Sequence, residues 1–235
     1  MFDSVVTFNN VHCHGSIVIA GLALCIGVRE CAKTYMACRL GDSLGKTLQR
    51  DTLDPRVHFH PVWTFLLPFM LVFLAAITGS QNVPFVAMGN HAVHNPLQFQ
   101  RSLWSNRMIK SYDARWWIAV SGPIANALFA LLCWGFAALL IWMQWYRLYT
   151  YSLADAFMHL AYLNVTLALF NLLPIFPLDG ASIWPRLMPR RTYLRFLTVR
   201  PLISQSVAIA LILGAGSAIA LLSRRITYHM LLMLT

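Results

Sequence analysis

The chain has 235 residues, of which 58% are hydrophobic and only 11% charged, with a mean hydropathy of +0.60. A soluble domain carries roughly 25% charged residues to cover its surface, so this composition excludes an ordinary water-soluble fold. Eighteen Lys and Arg oppose eight Asp and Glu, a net charge of +10, and no charge interrupts residues 61–100, 116–146, 156–178 or 201–223.

Each of those runs can hold the ~20 apolar residues of a membrane helix. With the N-terminal stretch they predict an all-α, multi-pass membrane bundle of about five segments, a single domain over residues 1–235. Segment A is Ser16–Cys38, purely apolar in its first half. Segment B is Pro61–Thr78, where the missing amide of Pro68 predicts a kink. Beyond Gly79 and Ser80 the chain stays uncharged but turns irregular through Pro84, Gly89 and Pro96. Segment C, Trp116–Trp142, has Gly122 and Pro123 near its start. Segment D, Ala156–Leu178, ends in a proline-rich stretch from Asn171 to Gly180. Segment E, Leu202–Leu222, carries Gly214 and Gly216 on a close-packing face suited to a partner helix. Trp116, Trp117, Trp142, Trp145 and Tyr146 fit the headgroup belts. Cys13, Cys25, Cys31, Cys38 and Cys133 form no CxxC pair and read as small buried thiols. Met1-Phe2-Asp3 lacks the basic region of a signal peptide.

The basic residues predict the topology. Five plain crossings divide them nearly evenly between the two sides, which is unusual for an inner-membrane protein. If segment B dips in and residues 80–98 return to the same side, loops 39–60, 99–115 and 180–200 share thirteen basic residues, against Arg147, Arg224 and Arg225 opposite. Irregular backbone is tolerated at membrane depth when protein buries it. A re-entrant B, an outside N-terminus and cytoplasmic basic loops follow.

Ionised groups in segment A mark the candidate site. Arg29, Glu30 and Lys33 lie within an apolar helix, where each costs about 2.5–3.5 kcal/mol on insertion scales and is rarely idle. Glu30 is the only glutamate in the chain. Asp179 stands at the proline break ending segment D. The re-entrant topology brings the lower half of A and the end of D to one side, where Glu30 and Asp179 can meet.

Four motifs in order then resemble the site-2 protease family of intramembrane metalloproteases. Arg29-Glu30-x-Ala32-Lys33, continuing to Ala37 and Arg39-Leu40-Gly41-Asp42, is similar to the family's His-Glu-x-Ala-His helix. Asp54-Pro55-x-x-His58-x-His60-Pro61 resembles its Asn-Pro-x-x-His-x-Asp-Pro. Gly122-Pro123-x-x-Asn126 and Asn171-x-x-Pro174-x-x-Pro177-Leu178-Asp179-Gly180 match two further family segments. Together the motifs fall within residues 16–185, with the helix at 202–222 beyond them. The resemblance implies a zinc site built from the two histidines and the aspartate, with the glutamate activating metal-bound water.

Here the histidine positions are Arg29 and Lys33. Arginine keeps its proton, and lysine ligates only if strongly desolvated. The site is therefore expected to be degenerate, with no active catalytic residue, no zinc and no other cofactor. The family's zinc, two neutral histidines and two carboxylates sum to zero charge, as do Arg29, Lys33, Glu30 and Asp179. One reading makes the two cations an electrostatic substitute for the metal, cross-linking segments A and D. The other lets them snorkel to the headgroups as helix-end anchors.

A metal site rebuilt from His58, His60, His91 and His94 is the alternative, since imidazoles ligate zinc well. His12 and His14 lie far from Glu30 in this topology. The basic 180–200 loop, with interleaved aromatics, is expected to meet anionic lipid headgroups, not nucleic acid. The expected function is a catalytically inactive scaffold, regulatory or accessory subunit that binds other membrane proteins in a complex. Its expected place is a bacterial inner membrane or an organelle inner membrane; the rival function is an active metalloprotease with relocated ligands.

Overall fold

A Schellman turn closes the first long helix. In the computed structural model, α1 runs Val11–Arg39, Gly41 adopts φ 103°, Gly41 N donates to Cys38 O and Asp42 N to Ala37 O, both at 3.0 Å. These bonds satisfy carbonyls that a helix end leaves open, and the left-handed φ suits glycine. The structure describes residues 11–60, 64, 66, 68–70, 73, 77, 89, 94–95, 99, 111–143, 149–175, 178–189, 191–192, 194–195 and 205–233. Among them every regular element is helical.

Two short helices follow, α2 at Leu44–Thr47 and α3 at Pro55–His58. Asp54 caps α3, its side chain accepting from Arg56 N, and Pro55 occupies the first turn, where a missing amide costs nothing. The long helix α4 spans Ser111–Trp142 and α5 spans Tyr149–Asn171. Stretches of both, Asp113–Trp142 and Leu153–Asn171, are long and apolar enough to cross a membrane. After the short α6, Gly180–Leu187, comes α7, Gln205–Leu232.

The helix limits differ from those expected for segments A, C, D and E. α1 and α4 each start five residues earlier. α5 starts seven residues earlier and stops at Asn171 instead of continuing to Leu178. Pro174 accounts for the stop, because a proline disfavours helical backbone at the residue before it. α7 continues ten residues past Leu222, straight through Arg224 and Arg225. Packing holds that extension: Trp134 Nε1 of α4 donates to Met230 O at 2.7 Å. Charge changes the solvent a helix prefers without ending it.

In segment B, Thr64 and Pro68 are buried while Leu66, Phe69, Met70, Phe73 and Ile77 are exposed. A buried side and an apolar outer side fit a helix lying against the bundle. The kink at Pro68, the path through residues 78–88 and the close-packing face at Gly214 and Gly216 lie outside what is described.

α4 and α5 share the most extensive contact, and α1 packs against both. The main core joins Leu22, Cys25 and Ile26 of α1 to Leu163, Leu167 and Phe170 of α5, Ile175 and Leu178 of the following turn, and Ile219 of α7. A second core gathers Ala37, Leu40, Phe99, Ala114 and Ile118. Asn95 N donates to Asp42 Oδ2 at 2.6 Å, while Asp42 Oδ1 accepts from Leu44 N at 2.9 Å. The end of α1, Asn95, Phe99 and the start of α4 therefore meet at one end of the bundle.

Candidate functional site: a buried ion network

The turn after α5 delivers Asp179. Asn171 Nδ2 donates to Leu167 O at 2.7 Å, fixing the end of the helix. The chain then doubles back so tightly that a Cβ at Gly180 would lie 2.2 Å from Leu173 O and 2.4 Å from Leu172 O. Only glycine fits there. Asp179 holds the N-cap position of α6, yet its side chain makes no capping bond. An N-cap aspartate usually satisfies the free amides of the first turn; this one faces α1.

There it meets Lys33, with Nζ 2.6 Å from Asp179 Oδ1. Lys33 Nζ also lies 3.4 Å from Glu30 Oε1, one helical turn earlier. Arg29 donates to that same oxygen twice, from Nε at 2.9 Å and Nη2 at 2.5 Å. The four groups are 1% (Arg29), 1% (Glu30), 3% (Lys33) and 9% (Asp179) exposed. The snorkelling reading is thereby corrected, because a snorkelling cation needs its head in water or headgroups. The cross-link exists, but it is narrower than expected: Lys33 joins the two elements, while Arg29 pairs within α1.

Two glycines give the network its dimensions. A Cβ at Gly122 of α4 would stand 2.8 Å from Lys33 Cε and 3.1 Å from both Arg29 Cγ and Asp179 Oδ2. At Gly89 it would stand 2.7 Å from Ile26 Cγ2 and 3.0 Å from Glu30 Cγ. Backbone thus closes on the charges from two sides. Gly122 was visible as part of a motif, but its role depends on how closely α4 approaches α1, which spacing does not encode. Pro123 leaves α4 unbroken, and Ser121 Oγ donates to Ile118 O at 2.7 Å. Asn126, one turn further on, is fully buried, with neither carboxamide atom bonded to any described residue.

The histidines divide. His58 is buried, its Nε2 2.8 Å from Thr52 O, which makes it a brace for the loop before α3. His94 is half-buried, its ring 6.1 Å from that of Phe99. His91 lies outside the described residues, as do the side chains of His12 and His14. Among the described residues no three His, Cys, Asp or Glu side chains converge as a ligand set. Asn164 is buried in α5, its Nδ2 bonded to Cys25 Sγ at 3.0 Å and Leu160 O at 2.8 Å.

Zinc needs lone pairs from neutral imidazoles or anionic oxygen and sulfur. Arg29 supplies none, and the Lys33 ammonium is held against two carboxylate oxygens that a metal would otherwise use. The donor set at these four positions does not fit the ion.

The comparisons with known proteins agree with the motifs. Peptidase family M50 matches residues 147–215. YwhC of Bacillus subtilis, named as a zinc metalloprotease, is 26% identical over 176 residues, covering 73% of this chain and 69% of that protein. Rip2 of Mycolicibacterium smegmatis, named likewise, is 26% identical over 174 residues, covering 74% of this chain and 58% of that protein. No solved structure matches. The motif order, the α1–Asp179 juxtaposition and these relatives support membership of the site-2 protease family, peptidase family M50.

Proposed function

We propose that this chain is a catalytically inactive member of its family, retained as a scaffold, regulatory or accessory subunit that holds other membrane proteins in a complex. The observation that carries this reading is the pairing of Arg29 and Lys33 with Glu30 and Asp179. Glu30, the residue that activates water in the family, is bound by a guanidinium. Asp179, the family's third ligand, is bound by an ammonium. The substitution keeps the site neutral and keeps α1 attached to the Asp179 turn, so the packing around it is supported without hydrolysis. Its two named relatives come from bacteria, which fits a bacterial inner membrane. The exposed basic residues at the Asp42 end face anionic headgroups, and no nucleic acid is involved.

Metal analysis tests the reading. Protein purified without chelator is expected to carry well under one zinc per chain and to cleave no membrane-segment substrate. Stoichiometric zinc that disappears in Asp179→Asn would overturn it in favour of relocated ligands. Such a site would have to recruit His58 away from the Thr52 carbonyl.

The re-entrant course of segment B belongs to the same proposal. Gly89 beside Glu30 and Asn95 bonded to Asp42 support it. Cysteines introduced near Gly45 and Ser105 should label from the same side of the membrane. Labelling from opposite sides means that segment B crosses outright.

A further inference from the structure

The short helix α6 presents a surface that the ion network does not use. It buries Gly180, Ala181, Ile183 and Pro185 and exposes Trp184, Arg186 and Leu187. Two contacts pin it to the bundle. Trp184 Nε1 donates to Leu172 O at 2.5 Å, and Arg186 pairs with Asp113 at the start of α4. The Arg186 guanidinium also lies 5.2 Å from the centre of the Trp116 ring. The indole Nε1 of Trp116 is buried and has no acceptor among the described residues. Arg115 is exposed one residue before Trp116 in the first turns of α4, and Arg191 and Leu194 are exposed just beyond α6.

We propose that this face binds the headgroup of an anionic phospholipid in the surrounding leaflet. The proposal rests on the membrane placement given above and names a lipid site within it. Charge complementarity favours the ligand: Asp113, the acid at this face among the described residues, is already paired with Arg186. Arg115 and Arg191, exposed near the same end, have no acid partner among the described residues and add positive charge there. The apolar groups decide between a lipid and a soluble anion. Exposed Trp184 and Leu187 next to those cations match a molecule whose phosphate adjoins hydrocarbon, the arrangement that interfacial aromatics and basic residues favour. A free phosphate engages the arginines and leaves both apolar side chains in water.

The test uses the full chain in neutral detergent, titrated in parallel with phosphatidylglycerol, phosphatidylcholine and inorganic phosphate. Retained lipid is counted by native mass spectrometry and Tm is recorded. Phosphatidylglycerol should be retained and raise Tm, while the other two do neither. Arg115→Gln with Arg191→Gln should weaken retention by about tenfold or more, each cation near an anionic lipid surface contributing roughly fivefold. Without lipid, that variant should melt with the parent, which shows that its fold is intact. Arg225→Gln on α7 should leave retention unchanged. Equal retention of both lipids, stabilisation by phosphate alone, or unaltered retention in the double variant would each overturn the lipid site. Release of the chain from membranes by alkaline carbonate would instead defeat the membrane placement itself.

Discussion

Two sets of ion pairs use the same chemistry in opposite surroundings. Arg29, Glu30, Lys33 and Asp179 are enclosed by protein, with glycine backbone closing on them from α4 and from Gly89. Arg186 and Asp113 are 39% and 34% exposed at the end of the bundle. Water can replace either partner of the second pair and neither partner of the first. A buried pair contributes little net stability compared with well-packed apolar residues, yet breaking it leaves a charge with nothing to solvate it. An exposed pair contributes little either way. The difference teaches which charges can change singly: the surface pair is replaceable, whereas the buried charges can change only together.

The sharpest way to break that contrast is Lys33→Met, which removes the cation bridging Asp179 and Glu30. Removing one partner of a buried pair typically costs ~3–5 kcal/mol, so thermal stability and membrane yield should fall markedly. Lys33→Met with Asp179→Asn should recover much of the loss, because the orphaned carboxylate becomes neutral. Coupled neighbours show interaction energies of ~0.5–3 kcal/mol in a double-mutant cycle. Additive effects would mean that Lys33 and Asp179 do not depend on one another, and the enclosed-network account would fail.

A smaller effect sharpens the geometry. Gly122→Ala places a methyl 2.8 Å from Lys33 Cε and 3.1 Å from Asp179 Oδ2, whereas Gly135→Ala, on the same helix, meets nothing within 4 Å. Overpacking costs roughly 1–3 kcal/mol, so the first should lower Tm. The second should be neutral or raise Tm slightly, since alanine favours a helix interior over glycine by about 1 kcal/mol. Equal behaviour would show that α4 does not press on the network.

Much of this site was legible in the sequence because charge is so scarce there. Arg29, Glu30 and Lys33 interrupt an otherwise apolar helix, and Asp179 sits at a proline break, so each stood out before any fold was known. The burial of the cations is not legible there, since helix position does not say whether a long side chain turns inward or toward headgroups. Which cation makes the cross-link is not encoded in the charge sum: Arg29 folds onto its neighbour Glu30, and Lys33 reaches Asp179. Long-range contacts such as Asp42 with Asn95 and Trp134 with Met230 had no signal, because a single acceptor or indole carries no address. Helix ends were misplaced where hydropathy and backbone chemistry disagree. The apolar run continues to Leu178, but Pro174 stops the helix first. The run stops at Ser223, but nothing in the backbone of α7 does.

The smallest effect belongs to the exposed pair and tests the other half of the contrast. Asp113→Asn removes the charge facing Arg186 while keeping the side chain's shape. Exposed pairs contribute ~0–1 kcal/mol, so Tm should change little, and even that change should shrink in high salt, where the Debye length falls from ~10 Å at 0.1 M to ~3 Å at 1 M. Arg186→Ala should cost more than Asp113→Asn, because it also strips the guanidinium from the Trp116 ring, a contact of roughly 0.5–1 kcal/mol at exposed sites. That excess should persist in salt, since stacking depends on contact more than on free charge. Measured beside Lys33→Met, the pair gives a direct comparison: a salt-sensitive loss near zero at the surface and a larger, salt-insensitive loss inside. If Asp113→Asn proved as damaging as Lys33→Met, exposure would not be what separates the two networks, and the surface pair would have to be holding α6 against α4 as firmly as Lys33 holds α1 to Asp179.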